Sequence, residues 1–391
     1  MTLVDRFAAL QPLISSWRQD LHRHPELLFE VQRTADLVAR ELRAMGCDEV
    51  VTGLGRTGVV GVIKGRETGS GRVVGLRADM DALPIHEATG RPYASVHPGR
   101  MHACGHDGHT AMLLGAARHL AETRRFDGTV VVIFQPAEEG GGGGKAMVDD
   151  GLMERFGVER VFGMHNQPGL EVGRFGLRKG PMLAAADEFE ITVEGYGGHA
   201  AHPHHTIDAA MVAAQLLLSL QTVVARNVDP IRSAVLSVTT IQAGEAFNVI
   251  PQTAILRGTV RTLDEAVRDR IEARVAEVVD LGARALGATA KLDYRRNYPV
   301  LVNHGPEVDF AAAVARDVAG DERVDAEAPP RMGAEDFSFM LNARPGAFVF
   351  TGNGDSAPLH HPAYDFDDAA IPHGCAFWVR LAETAMPLLE G

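Results

Sequence analysis

Four short apolar runs in this chain each hand over to acidic or histidine side chains. "VVGLRADMD" ends in Asp79 and Asp81, "VVVIFQPAEE" in Glu138 and Glu139, "VFGMH" in His165, and "FVFTGNGDSAPLHHP" leads to His360 and His361. Runs this short, rich in β-branched residues and without polar alternation, suit strands buried on both faces of a sheet. Reactive side chains at their carboxyl ends suit an open α/β sheet, where sites gather beyond that edge. The pattern constrains the chain to an α/β layer with its site along one edge of the sheet.

The remaining elements fit that layer. Apolar runs at Val59–Ile63, Val73–Leu76, Val130–Phe134, Val161–Met164 and Phe348–Phe350 read as strands. Helical spacing runs from Leu13 to Met45, closed by Gly46, and again over Met112–Arg124. A different rhythm holds from about Glu188 to Arg296. There "EFEITVEG", "AVLSVTTIQAG", "TAILRGTVRT" and "TAKLDYRR" read as strands, and Ile207–Arg226 and Leu263–Leu286 as helices. The order β-α-β-β-α-β is that of a small ferredoxin-like α+β domain. The expected organisation is a catalytic α/β domain over 1–184, an insert over 185–296, and the rest of the catalytic domain over 297–391.

Composition narrows the function. Against 51 acidic residues stand 38 basic ones, a formal net charge of −13, which lacks the positive footprint that nucleic acid or an anionic membrane surface demands. Cys47, Cys104 and Cys375 are odd in number and far apart, so a disulfide framework is not expected and a reducing compartment is. Asp5, Gln11 and Pro12 make the N-terminus a poor signal peptide, and no apolar run reads as long enough to span a bilayer. The expected location is the cytoplasm.

One motif misleads. Gly53, Gly55 and Gly58 of "VTGLGRTG" spell GxGxxG, with Asp79 near the spacing of a ribose-binding acid. A dinucleotide site needs a helix directly after the glycines, to hold the pyrophosphate at its N-terminus. The residues that follow are β-branched and then glycine-rich, so a hairpin or strand-rich connection is expected. The run Gly140–Gly144 is too short for a linker and reads as a tight functional loop.

"MHACGHDGHT" places His102, Cys104, His106, Asp107 and His109 within ten residues. Each chemical group in the chain has an ordinary reading when taken alone. Asp79 and Asp81 suit turns or caps, Glu138 and Glu139 a solvated acidic pair, and His165 a satisfied core histidine. Taken together, on separate strands leading to one edge, they favour a metal site. A structural zinc site would need paired cysteine motifs, which are absent. One cysteine with histidines and carboxylates suits a catalytic site with open positions. Adjacent residues in extended backbone point to opposite sides, so one of Glu138 and Glu139 could ligate while its neighbour acts as base.

The segments "RQDLHRHPELLFE", "RADMDALP", "MHACGHDGHTAMLLGAA", "QPAEEGGGGGKAMVDDG", "GGHAAHP", "FNVIP", "MGAEDFSF" and "LHHPAYDFDD" resemble, in order and over nearly the whole chain, a family of metal-dependent amidohydrolases. Its members include hippurate hydrolases, N-acyl-amino-acid deacylases and auxin-conjugate hydrolases, relatives of aminoacylase and glutamate-releasing carboxypeptidases. The resemblance implies a di-metal, aminopeptidase-like α/β catalytic domain with an inserted ferredoxin-like domain used for dimerisation. It implies two divalent ions per subunit, zinc first, with manganese, cobalt or nickel compatible. The implied ligands are Cys104 (bridging), His106, Glu139, His165 and His360, with His360 chosen over His361 and with His102 and His109 excluded. Glu138 is the implied base and Asp81 its support, by orienting a ligating histidine. His199 is implied to reach the partner's site across a homodimer and stabilise an oxyanion. Asn248 and Arg261 are implied substrate contacts.

The expected activity is hydrolysis of the amide bond of a small N-acyl amino acid, with no nucleic-acid or membrane partner. A dipeptidase or carboxypeptidase using the same ions is the competing enzyme, and a metal-dependent binding protein the non-catalytic alternative. A second arginine that glutamate-releasing relatives use for the substrate carboxylate is replaced in the matching stretch, "RNYPVLVN", which argues against a strict preference for an acidic product.

Overall fold

The computed structural model describes residues 1–388. They form two compact units: one comprises residues 1–180, 302–329 and the chain from 336 on, the other residues 181–301 and 330–335. The second unit thus extends past the expected 185–296 at both ends and also takes in a short later segment.

An eight-stranded sheet organises the first unit. Across it lie strands Glu49–Leu54, Gly58–Lys64, Thr129–Gln135, Val73–Asp79, Arg160–Gln167, Gly346–Gly352, Phe175–Gly176 and Val324–Asp325. The four strands from Thr129–Gln135 to Gly346–Gly352 run parallel. The strands flanking these four are antiparallel to their inner neighbours. Four of the five apolar runs read from the sequence are these central strands and the fifth, Val59–Ile63, is the flanking strand Gly58–Lys64, each run being extended by two to four residues in all. Continuous burial explains their composition: Val130–Phe134 and Phe348–Val349 are fully covered. Of the glycines of "VTGLGRTG", Gly55 lies in the turn between antiparallel strands Glu49–Leu54 and Gly58–Lys64 and Gly53 and Gly58 in the strands themselves, and a strand rather than a helix follows them.

Helices Leu3–Arg23, His106–Thr123 and Ile371–Ala385 pack together in the core of this unit. The stretch expected as one helical segment from Leu13 to Met45 is instead two helices, Leu3–Arg23 and Gln32–Ala44. Pro25 disfavours helical backbone at His24, and Leu28 takes a φ of 51°, so the chain turns there. The first helix starts ten residues before Leu13 because Thr2 and Asp5 form a reciprocal capping box.

The second unit is a four-stranded antiparallel sheet in the order Ala234–Ala243, Thr253–Thr262, Ala185–Glu194, Thr289–Tyr298, with helices Ala209–Asn227 and Glu265–Ala285. Second, third, first, fourth in chain order is the ferredoxin-like arrangement inferred from the strand–helix rhythm. Asp208 and Asp264 cap the two helices through their side chains. Contrary to the sequence reading, helix Ala209–Asn227 is long and apolar enough to cross a membrane, with a mean hydropathy of 1.4. Val212, Leu216, Leu220 and Val223 nevertheless bury one of its faces in the core of this unit.

Candidate active site

The parallel strands of the first unit deliver their polar ends to one place. Of five groups whose ligand atoms lie within 4.8 Å of one another among the described residues, three hold the expected ligands: Cys104, His106 and His165; Cys104, Glu139 and His360; His106, Glu138 and Glu139; a fourth joins His106 to Asp79 and to His109, which the reading from sequence excludes as a ligand. Cys104 belongs to the first two groups and His106 to the first, third and fourth. All five residues expected as ligands, with the expected base, are therefore brought together. His106 opens helix His106–Thr123, and Gly105 ahead of it takes a φ of 88° that only glycine adopts at little cost.

Hydrogen bonds fix which atoms face the cluster. His165 Nδ1 lies 2.7 Å from the carbonyl oxygen of Asn166 and donates to it, which leaves Nε2 toward Cys104 Sγ at 3.3 Å. Burial, then His109, hold the His165 imidazole well below its ordinary range, which favours the neutral form, the one able to ligate a cation. Neither ring nitrogen of buried His106 has a hydrogen-bond partner among the described residues. Against the desolvation of complete burial, Asp79 and Asp81 raise this imidazole to about 10. Burial, then the carboxylates of Glu139 and Glu138, push the Cys104 thiol well up. A thiol, three imidazoles and a carboxylate, with a buried imidazole unpartnered at both nitrogens, fit divalent cations of the zinc type.

His360 stands half exposed with Nε2 3.2 Å from Glu139 Oε1. Its φ of 64° and the bond from its N–H to the Ala103 carbonyl (2.8 Å) turn it toward the cluster. His361 instead accepts the Ala363 N–H at Nδ1 (3.0 Å) and joins none of the groups. His102 is buried but also outside them.

Two expectations change. Glu138 and Glu139 lie in a turn rather than extended backbone, entered through Ala137 at a φ of 53°. The turn is held because the N–H groups of both glutamates donate to one carboxylate, Asp81, at 2.9 and 3.1 Å. Asp81 therefore positions the glutamate pair, and its 3.6 Å approach to His106 Nδ1 is too long for a hydrogen bond. The glycine run completes the turn: a Cβ on Gly143 would lie 1.7 Å from the Pro136 carbonyl oxygen.

Sequence reasoning missed the frame behind this cluster. Fully buried Arg77 donates to Asp79 (2.8 Å), Asp336 (3.1 Å) and Gln135 (2.9 Å). Asp336 in turn accepts the Gly144 N–H at 2.7 Å, which ties "MGAEDFSF" to the glycine loop. Asp79 also accepts from His109 Nδ1 at 2.6 Å. An arginine two residues before an aspartate on a buried strand was the available signal, because a buried guanidinium demands carboxylate partners.

In the second unit, His199 pairs with Val249 across a short ladder, and the Ala200 N–H donates to the Asn248 carbonyl at 3.0 Å. His199 Nδ1 accepts the Ala201 N–H at 3.0 Å, so the neutral ring carries its proton on Nε2. Arg261 lies on strand Thr253–Thr262 and donates to Thr259 and to the Val260 carbonyl.

Fold and site define a metal-dependent amidohydrolase. Residues 75–384 match the model of peptidase family M20/M25/M40, and the chain belongs to that family. It is 41% identical over 382 residues to a hippurate hydrolase of Campylobacter jejuni, covering 98% of this chain and 99% of that one. It is 40% identical over 383 residues to an N-acetylcysteine deacetylase of Bacillus subtilis, covering 98% and 99%. Among solved structures, it is similar to a dinuclear metal-binding peptidase of this family from Bacillus subtilis, with a TM-score of 0.84, 36% identity, and 97% and 99% of the two chains covered.

Proposed function

We propose that this protein hydrolyses the amide bond of N-acyl amino acids, releasing a carboxylic acid and a free amino acid, with two divalent cations held by Cys104, His106, Glu139, His165 and His360. The observation that carries the reading is the pair of ligand groups sharing Cys104, with Glu138 beside them. Bound there, the cations supply Lewis acidity toward a carbonyl and make a water acidic near neutral pH. Glu138, set by the Asp81 bonds to its turn, takes the proton of the attacking water and passes it to the leaving amine. His199 offers its Nε2–H to the developing oxyanion from a second copy of the chain. Met211 and Leu218 on helix Ala209–Asn227, and Val235 and Ile241 on the edge strand, are exposed apolar residues that such a copy would cover. Asn248 and Arg261 contact the substrate, the guanidinium being suited to the carboxylate of the amino-acid half. Zinc is the first choice of metal, and a reduced Cys104 suits an intracellular, reducing setting.

The test is amine release from N-acetyl, N-benzoyl and long-chain N-acyl amino acids beside simple dipeptides, with protein reloaded separately with zinc, manganese or cobalt. Metal-dependent turnover of the acyl amino acids, with dipeptides poor, is expected. Turnover of dipeptides alone would move the protein to the peptidase branch. Metal-loaded protein that turns over neither would make it a binding protein.

A further inference from the structure

Asn166 directly follows the ligand His165 on its strand and is completely buried. Every hydrogen-bonding group of its side chain is engaged. The amide nitrogen donates to the Cys104 carbonyl at 2.6 Å and lies 3.0 Å from His109 Nε2, and the amide oxygen accepts from the Tyr364 hydroxyl at 2.8 Å. Its backbone N–H also donates to His109 Nε2, at 2.9 Å. His109 can accept there because its Nδ1–H is given to Asp79. The opposite amide orientation would set two carbonyl oxygens against each other at Cys104, so the network selects this one. Asn166 and Tyr364 also press on the residue between two ligands. A Cβ on Gly105 would lie 2.3 Å from Asn166 Nδ2 and 2.4 Å from Tyr364 Oη.

We propose that Asn166, clamped by Tyr364 and His109, is a positioning residue that sets the spacing of Cys104, His106 and His165 before any cation binds. The inference rests on the reading above that these three are ligands. One amide touches the backbone of the first, closes on the glycine leading to the second, and belongs to the residue whose carbonyl orients the third. A ligand set assembled in advance binds tightly because cation binding need not order it. Groups that orient ligands from behind contribute about 10–100-fold to metal affinity.

The test is cation affinity, by chelator competition and metal content after dialysis, beside the melting of metal-free protein. Asn166→Ala is expected to bind zinc about 10–100-fold more weakly than wild type. Asn166→Asp, nearly isosteric, puts an oxygen against the Cys104 carbonyl and is expected to lose as much. Tyr364→Phe removes one oxygen and is expected to lose about fivefold, the size of one hydrogen bond; should Asn166→Ala fail to fold, this variant carries the test. A lower melting point of the metal-free variants with wild-type zinc affinity would mean a merely structural role and overturn the proposal. Wild-type protein that binds no cation would sink the ligand assignment itself, whereas wild-type binding with unimpaired variants sinks only the role of Asn166.

Discussion

The two units solve opposite problems with the same materials. The second buries Phe189, Ile191, Val193, Leu216, Leu256, Ile271 and Val275 in a nearly dry core. Its buried charges among the described residues are Glu335 and the pair Asp187 and Arg268, 2.5 Å apart, with the Tyr294 hydroxyl donating to the Asp187 carboxylate. The first has a larger apolar core but also buries Asp79, Asp81, His165 and Asn166 at the ends of its strands and His106, Asp107 and His109 in the first turn of helix His106–Thr123. Carboxylates crowded without water cost stability unless cations or donors answer them. The first unit thus gives up stability to assemble chemistry, whereas the second holds exposed groups such as His199 on a conventional frame. Substitutions should separate these roles.

The largest contrast is expected at Glu138. Replacing it with glutamine should lower kcat by about 10²–10⁴-fold, the usual share of a general base, while bound metal stays at the wild-type level. Near-wild-type turnover in the metal-loaded variant would remove Glu138 from its role. Chelation comes next. A cation present at 100–1,000 times its Kd stabilises the fold by about 3–4 kcal/mol, and removing it forfeits that amount. Trp17 and Trp378, the chain's two tryptophans, both lie in the first unit, so tryptophan fluorescence reports its melting alone. That melting should fall on chelation, and an unchanged curve would break the link between cation and fold. Leu216→Ala, in the dry core, should cost about 3 kcal/mol through lost contact and a cavity. It should do so without changing metal content, and loss of metal in this variant would blur the division.

How far the sequence reveals this molecule depends on the range of the interaction. Strands with one apolar period and helices with another are local signals, which is why the central strands and the inserted domain were legible. Residues such as Cys104 and Glu139 carry their chemistry in their type, which pointed to a metal site; only the resemblance to the amidohydrolases singled out a ligand set. The turn at Glu138 was not legible because it depends on Asp81, 57 residues earlier in the chain. Asn166 and Tyr364 are 198 residues apart and Arg77 and Asp336 are 259 apart, and nothing in either neighbourhood announces the other. The break after Arg23 was a local signal passed over, since Pro25 stood inside a segment read as one helix.

The smallest expected effect concerns a histidine that serves no chemistry. His119 lies on the buried helix His106–Thr123, its ring centroid 5.7 Å from that of Phe7, and its Nδ1 has no hydrogen-bond partner among the described residues. Burial, then the charge of Arg6, lower its pKa from an ordinary 6.5 to about 4 against the opposing charge of Glu122, with Arg125 adding to the fall. The folded protein therefore binds fewer protons than the unfolded chain between these two values. Stability must rise with pH across that window. Above 6.5 both states are neutral and the contribution is fully present; as pH falls toward 4 it is lost, and below 4 no more is lost. Allowing for partial solvent screening, the loss is on the order of 1 kcal/mol, or about 2–4 °C in Tm for a domain of 150–250 residues. His119→Leu should flatten this part of the fluorescence-detected melting profile between pH 4.5 and 7 while leaving neutral-pH turnover unchanged. An identical acid slope in the variant would assign the loss to other groups, and the carboxylates behind the candidate ligand cluster would then be the place to look.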